Sequence, residues 1–233
     1  VEAGSFLSLL LAQGAHKGGG GGGGSAALTD TTITAQAITF ILAGTETTAN
    51  ALSFAVYLLT QNPEAEAALL AEVDAYGRDT PVTHTAALPY ADAVVSEALR
   101  LYPPAHATSR EGAKGEVQVG GYTVPPHVHF LVSLYANHMD PGIWPRAREF
   151  LPERWLPGSP LAPTHPAAFM PFGGGPRMCI GWKFALQEAR IALVRLYQRY
   201  RFTLAPGVQV PLATVTGITL GPRHGLHVRV HTR

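Results

Sequence analysis

Apolar positions follow a helical period in most of the chain and a two-residue alternation in a smaller part. From about Thr32 to Gln61 the run is almost wholly apolar, broken chiefly by hydroxyls, Gly44, Glu46 and Asn50. Thr29 or Asp30 offers an N-cap and Asn62-Pro63 a stop, so one long helix is expected there. Pro63 suits the first turn of a second helix, with Glu64 and Glu66 at its positive end, fading near Gly77. A third helix is expected over about Pro89 to Tyr102, ended by Pro103-Pro104. Val117, Val119, Tyr122 and Val124 alternate about Gly120-Gly121 and predict a hairpin. Val128 to Leu134 is a further apolar run. Asn137 to Pro171 is rich in proline and aromatics without a period, as in a long irregular segment wrapped on a core. A last helix follows Gly181, with Leu186, Ala189, Leu193, Leu196, Tyr197 and Tyr200 on one face. Val215 to Leu220 and Leu226 to Val230 read as strands. The fold class is mainly α with a minor β part, and no internal repeat is visible.

Composition narrows the chemistry. The chain has 233 residues, 46% hydrophobic and 14% charged, enough to bury a core. Its one cysteine, Cys179, excludes an intramolecular disulfide, a Cys-x-x-Cys site, c-type haem attachment and a protein-held iron–sulfur cluster. A buried apolar filler, a nucleophile and a lone metal ligand remain open for it. The net charge of +1 argues against a nucleic-acid partner. Residues 1–176 hold 8 basic and 15 acidic residues, whereas residues 177–233 hold 9 and 1. That basic end is either a solvated helix face or a docking surface for an acidic partner.

Between Thr31 and Pro63 the only charge is Glu46, a pattern that mimics a transmembrane span. Thr45 to Thr48 and Asn50 lie mid-segment, where a bilayer tolerates polar groups least. A buried helix with a functional polar centre fits better. Ser5 to Ala12 is apolar but lacks the basic n-region of a secretory signal. Residues 18–24 are seven glycines, a natural loop expansion or an inserted linker that carries no chemistry. The chain starts with Val, so its beginning is expected to be missing. The expected division is an end of a preceding helix over 1–17, a linker over 18–25 and part of one domain over 26–233. His127 with His129, and His227 with His231, are two-histidine pairs without a carboxylate and are expected to be surface residues.

The segment Phe172-Gly-Gly-Gly-Pro-Arg-Met-Cys-Ile-Gly181 holds the cysteine. Its glycines and proline allow an irregular backbone with inward N–H groups. Cys179 sits at the positive end of the last helix, with Arg177 two residues away, which suits an anionic sulfur ligand. Met178, Ile180 and Phe172 make the surroundings apolar, as for a buried soft-metal ligand. A phosphate loop would need Lys at position 182, which is Trp182, and no strand leads in as a dinucleotide fingerprint requires. The spacing Phe172, Gly175, Arg177, Cys179, Gly181 resembles the haem-thiolate motif of the cytochrome P-450 monooxygenases. The resemblance extends over nearly all of residues 28–233 and corresponds to the C-terminal half of that fold.

Three further motifs resemble the family in the same order. Ala43-Gly44-Thr45-Glu46-Thr47-Thr48 is similar to its distal-helix motif, which implies that Ala43 and Gly44 border the haem and that Glu46 and Thr47 are the catalytic proton-delivery groups for dioxygen. Glu97 and Arg100, spaced i, i+3 on an apolar face, are expected to be buried and to need another partner. The family's glutamate–arginine–arginine cluster implies Arg154, in Pro152-Glu153-Arg154-Trp155, as that partner in a structural lock. Asp140 to Pro145 also resembles the family. The resemblance further implies Cys179 as iron ligand, Phe172, Gly173 and Gly181 in the haem-binding loop, Arg110 and Arg177 at the haem propionates, and Ala105, Thr108 and Ile218 along the substrate.

The function implied is insertion of one oxygen atom of O2 into an organic, lipophilic substrate. The cofactor implied is haem b with an axial cysteine thiolate. The electrons come from an NADPH-dependent reductase or another donor docked on the basic C-terminal side. The parent protein is expected to be membrane-associated, in the endoplasmic reticulum or an organelle, through an N-terminal anchor outside this chain. Two other readings are a truncated, non-catalytic fragment and a thiolate-haem sensor; Glu46-Thr47 argues against the sensor, which needs no proton delivery.

Overall fold

The computed structural model describes residues 5–15, 28–83, 87–112 and 114–233. The glycine run at 18–24 lies outside the described residues. The chain divides between Glu46 and Thr47 into two units, taken here in turn.

In the first unit α1 spans Phe6–Ala15, and α2, Asp30–Gln61, begins. Thr29 caps α2, its Oγ1 accepting the Thr32 N–H at 3.2 Å. Hydroxyls inside α2 fold back on the helix: Thr39 and Thr45 donate to the carbonyls of Ala35 and Ile41 at 2.8 and 2.7 Å. Phe6 meets Phe40 with ring centroids 4.3 Å apart. Ile38, Ile41 and Leu42 are exposed.

The second unit packs the rest of α2 with α3 (Pro63–Tyr76), α4 (Pro89–Leu101) and α6 (Trp182–Arg199). Leu69, Val73, Leu88, Val94, Leu193 and Tyr197 are fully or almost fully buried in one core. Leu88, the residue before α4, has no side-chain cap to offer. Glu72 of α3 takes that role, its two carboxylate oxygens accepting the N–H groups of Tyr90 and Ala91 at 2.7 and 2.8 Å. Gln198, near the end of α6, donates to the carbonyls of Gly77 and Thr80 at 2.8 and 2.9 Å, so the turn after α3 is fastened to the last helix.

Four antiparallel pairs surround this core. β1 (Ala107–Glu111) pairs with β4 (His129–Ser133), and β2 (Val117–Val119) with β3 (Tyr122–Val124). β5 (Tyr200–Leu204) pairs with β8 (Val228–Thr232), and β6 (Thr214–Thr216) with β7 (Leu220–Pro222). Helix α5 (Leu134–His138) follows β4 directly. Most of the segment that follows, through Pro171, is irregular apart from a 3-10 turn at Pro152–Trp155.

Several expectations change. Tyr200 leaves the helix and starts β5, because the last strand offers it Thr232 as a partner. β1 carries no apolar alternation and exists because β4 pairs with it. Val215 to Leu220 is a tight hairpin rather than one strand, closed by a Gly217 N–H bond to the Thr219 carbonyl at 3.1 Å. His127, His129, His227 and His231 are all exposed.

The basic C-terminal end is less bare than its sequence suggests. Four of its nine cations are matched by acids from earlier in the chain: Arg190 with Asp92 at 2.8 Å, Arg199 with Asp79 at 2.9 Å, Arg201 with Glu66 at 2.5 Å and Arg233 with Asp74 at 2.6 Å. The sequence imbalance is therefore partly consumed within the fold. Among the described residues no helix is long and apolar enough to cross a membrane.

Candidate functional site

The cysteine loop is built by local backbone bonds. The Gly173 N–H donates to the Met170 carbonyl, Met178 N–H to Gly175, and Cys179 N–H to Phe172, each at 3.0 Å. Gly173 and Gly175 have φ of 75° and 71°, the left-handed region that a side chain disfavours. Phe172 is half-buried and packs on the core cluster. Gly181 precedes α6 and its carbonyl receives the Ala185 N–H at 2.9 Å. Arg110 of β1 reaches this loop, donating from Nη2 to the Gly174 carbonyl at 3.2 Å. Its Nη1 is held by Thr108 Oγ1 and the Ser109 carbonyl, both at 2.8 Å. Arg177 closes the 3-10 turn Gly175–Arg177 and is exposed.

Cys179 is exposed, so neither the apolar-filler reading nor burial of the ligand by this chain's own residues holds. Apolar side chains beside it are exposed too: Ile180 by 85% and Phe184 by 73%. A soft sulfur donor framed by uncovered apolar groups fits a large, flat, apolar metal complex. It does not fit a caged ion, and among the described residues no cluster of three or more His, Cys, Asp or Glu could hold one.

Glu97, Arg100 and Arg154 form a buried charge cluster. Glu97 and Arg100 are fully buried and Arg154 is 1% exposed. Arg100 grips the Glu97 carboxylate through Nε and Nη2 at 2.9 and 2.8 Å. Arg154 Nε adds a third bond at 3.0 Å, and the Leu151 N–H and Trp155 Nε1 a fourth and fifth at 3.1 and 2.9 Å. The second guanidinium leaves an excess positive charge, which backbone carbonyls absorb. Arg100 donates to His138, Ala147 and Glu149, and Arg154 to Pro145, Leu161 and Arg146. Both guanidiniums also lie over the Trp144 ring, 5.2 and 5.8 Å from its centroid. Every N–H of Arg100 is thus satisfied, as a buried cation requires.

The sequence reading passed over His138. It is fully buried, and its Nε2 accepts the Met170 N–H at 3.1 Å. Desolvation lowers its pKa from 6.5 to about 4, assisted by the charge of Arg100. The only sequence signal was a histidine between two residues of an aperiodic segment.

The substrate candidates lie near one another. The Leu220 N–H donates to the Pro104 carbonyl at 2.8 Å, joining the β6–β7 hairpin to the segment that holds Ala105 and Thr108. Asn50 Nδ2 of α2 donates to Thr219 Oγ1 at 3.3 Å, one residue from Ile218. A Cβ at Gly221 would meet that Asn50 amide at 2.9 Å, so the close approach requires glycine. Ala105 is exposed, Thr108 is half-buried with its hydroxyl engaged by Arg110, and Ile218 is 97% exposed at the turn.

In α2, Ala43, Gly44 and Glu46 are exposed and belong to the first unit; Thr47, half-buried, begins the second. Among the described residues, no atom outside the neighbouring backbone of α2 lies within 4 Å of where a Gly44 Cβ would be. A separate cavity of about 780 Å³, lined by Leu58, Tyr102, Tyr135, Arg148 and Phe150 among others, includes none of the candidate residues.

The family model for cytochrome P450 matches residues 3–228. The chain is similar to thromboxane-A synthase of Sus scrofa, 37% identical over 210 residues covering 88% of this chain and 39% of that protein. It is similar to cyclooctatin synthase of Streptomyces melanosporofaciens, 42% identical over 197 residues, 84% of this chain and 42% of that protein. It is also similar to cytochrome P450 3A13 of Mus musculus, 39% identical over 210 residues, 89% and 41% respectively. The chain spans about two fifths of the length of these relatives.

Two outcomes are expected from the cluster and its histidine. Glu97→Ala leaves two buried guanidiniums without their carboxylate, and urea unfolding should show a loss of about 3–5 kcal/mol. His138 stays neutral in the folded chain at pH values where the unfolded chain already protonates it. Its contribution is fully present above about pH 6.5 and is lost as pH falls toward about 4, amounting to roughly 3 kcal/mol. Urea midpoints measured across that window should fall with acid, and His138→Gln should flatten the fall.

Proposed function

Because the chain belongs to the cytochrome P450 family, we propose that it is the C-terminal, thiolate-bearing half of a haem-thiolate monooxygenase acting on an organic, lipophilic substrate. The observation that carries this reading is the exposed Cys179 on a loop whose backbone is pinned by its own hydrogen bonds. When bound, haem supplies the one-electron and dioxygen chemistry, and a thiolate ligand donates electron density that favours O–O cleavage.

The chain's own residues serve that chemistry in separate ways. Cys179 Sγ is the iron ligand. Phe172, Gly173 and Gly181 shape the haem-binding loop that carries it. Arg110 and Arg177 are the cations for the two haem carboxylates, and the bonds from Arg110 to Thr108, Ser109 and Gly174 set its position. By the family resemblance, Ala43 and Gly44 are the residues of α2 that border the cofactor. Glu46 and Thr47, adjacent on α2, hold and pass a proton through a carboxyl and a hydroxyl. Ala105, Thr108 and Ile218 orient the substrate through apolar contact. Glu97, Arg100 and Arg154 support the loop and touch neither substrate nor iron.

The electron donor, an NADPH-dependent reductase or an equivalent protein, docks on the basic side after residue 176. With four cations of that region held in ion pairs and Arg177 given to the haem, Lys183 and Arg195, with Arg223 and Arg229 beyond, are the residues left to form that surface. Arg190, held by Asp92, is not part of it.

The test is spectroscopic. The chain with haem added, reduced and exposed to CO should give the red-shifted Soret band of a thiolate ligand, and Cys179→Ser should abolish it. A wild-type band without that shift would refute the ligand assignment.

A further inference from the structure

His138 is bonded both to the Glu97 cluster and to Met170, two residues before the cysteine loop. The His138 carbonyl accepts from Arg100 Nη1 at 2.9 Å, and the His138 ring accepts the Met170 N–H at 3.1 Å. Met170 in turn receives the Gly173 N–H, and Phe172 receives the Cys179 N–H, each at 3.0 Å. A second tie runs alongside: Asn137 Nδ2 donates to the Ala168 carbonyl at 2.6 Å, while the Asn137 carbonyl accepts from Trp144 Nε1 at 3.1 Å. We propose that His138 is the positioning residue of the cysteine loop, its imidazole acceptor fastening the Met170 end of that loop to the buried cluster.

The ring's chemistry supports this role over simple packing. Because Nε2 accepts, the ring proton is assigned to Nδ1. Nδ1 is buried and, among the described residues, has no hydrogen-bond partner. An orphaned buried donor is costly, and an apolar ring in the same slot between Trp144 and Phe169 would avoid it. What an apolar ring lacks is the acceptor for Met170. The charged groups facing His138 are Arg100 and Glu97 of α4, with Arg154 across the Trp144 ring. The Glu97 oxygens are engaged by five donors already named, so a protonated His138 has no free carboxylate to turn to. Protonation would remove the Met170 bond and place a cation beside Arg100, releasing the loop.

Amide exchange read by mass spectrometry tests the joint in the 233-residue chain. His138→Phe should speed exchange across 168–181 by about tenfold, the equivalent of one lost buried hydrogen bond, with α4 and α6 unchanged. His138→Gln, which restores an acceptor, should return it to the wild-type rate. Alkylation of Cys179, unambiguous because it is the only cysteine, should accelerate in the Phe variant and not in the Gln variant. Unchanged loop exchange in His138→Phe would overturn the proposal. If that variant does not fold, the wild-type chain decides: below about pH 4, exchange in 168–181 should rise above its intrinsic acid dependence before α4 and α6 open. Loop exchange that tracks α4 throughout would overturn it equally. The consequence for iron rests on the proposed function, but these measurements need no haem. A wild-type chain without a thiolate band therefore defeats that function, and a His138→Phe chain with a tight loop defeats this joint.

Discussion

A carboxylate buried between two guanidiniums sets the terms for the rest of this structure. Glu97 has no access to water, and neither does Arg100. Moving such charges out of water costs more than one ion pair returns, so each remaining hydrogen-bonding position must be filled by protein. The filling comes from carbonyls of His138, Pro145, Arg146, Ala147, Glu149 and Leu161. These residues lie in the aperiodic stretch that has almost no secondary structure. Its path is dictated by where six carbonyls must stand. A long irregular segment is therefore ordered here by charge solvation rather than by a hydrogen-bonded ladder.

That ordering bears on the cysteine loop. The loop has short internal bonds and two left-handed glycines, but Cys179 and the apolar Ile180 after it are exposed. An exposed loop of this kind holds its geometry only if its ends are fixed. Arg110 fixes it from β1, the core fixes Phe172, and the stretch near Met170 is held by the segment wrapped on the cluster. A buried ion cluster and the cysteine loop, separate motifs in sequence, are thus linked through His138 and Met170.

The helices were legible in sequence because their signals are local: a proline stop, an N-cap and a 3.6-residue period. The stretch Pro89–Leu101 and the i, i+3 pair on it could be read directly, and the need for a further partner followed from the apolar face. That Arg154 is the partner came only from the family resemblance, since no local rule links positions 57 residues apart. β1 and β5 were missed because each is a strand only by virtue of its partner. The basic C-terminal excess is overstated in the sequence for the same reason. A sum over sequence cannot see that Asp92, Asp79, Glu66 and Asp74 fold back onto it. His138 was invisible because its role depends on one ring nitrogen and one distant backbone N–H.

The central claim is that this chain presents Cys179 to iron. Iron-edge X-ray absorption of the chain loaded with ferric haem measures that bond directly. One sulfur atom in the iron's first coordination shell, lost in Cys179→Ser, is the predicted result. A first shell made only of nitrogen and oxygen in the wild-type chain would contradict it.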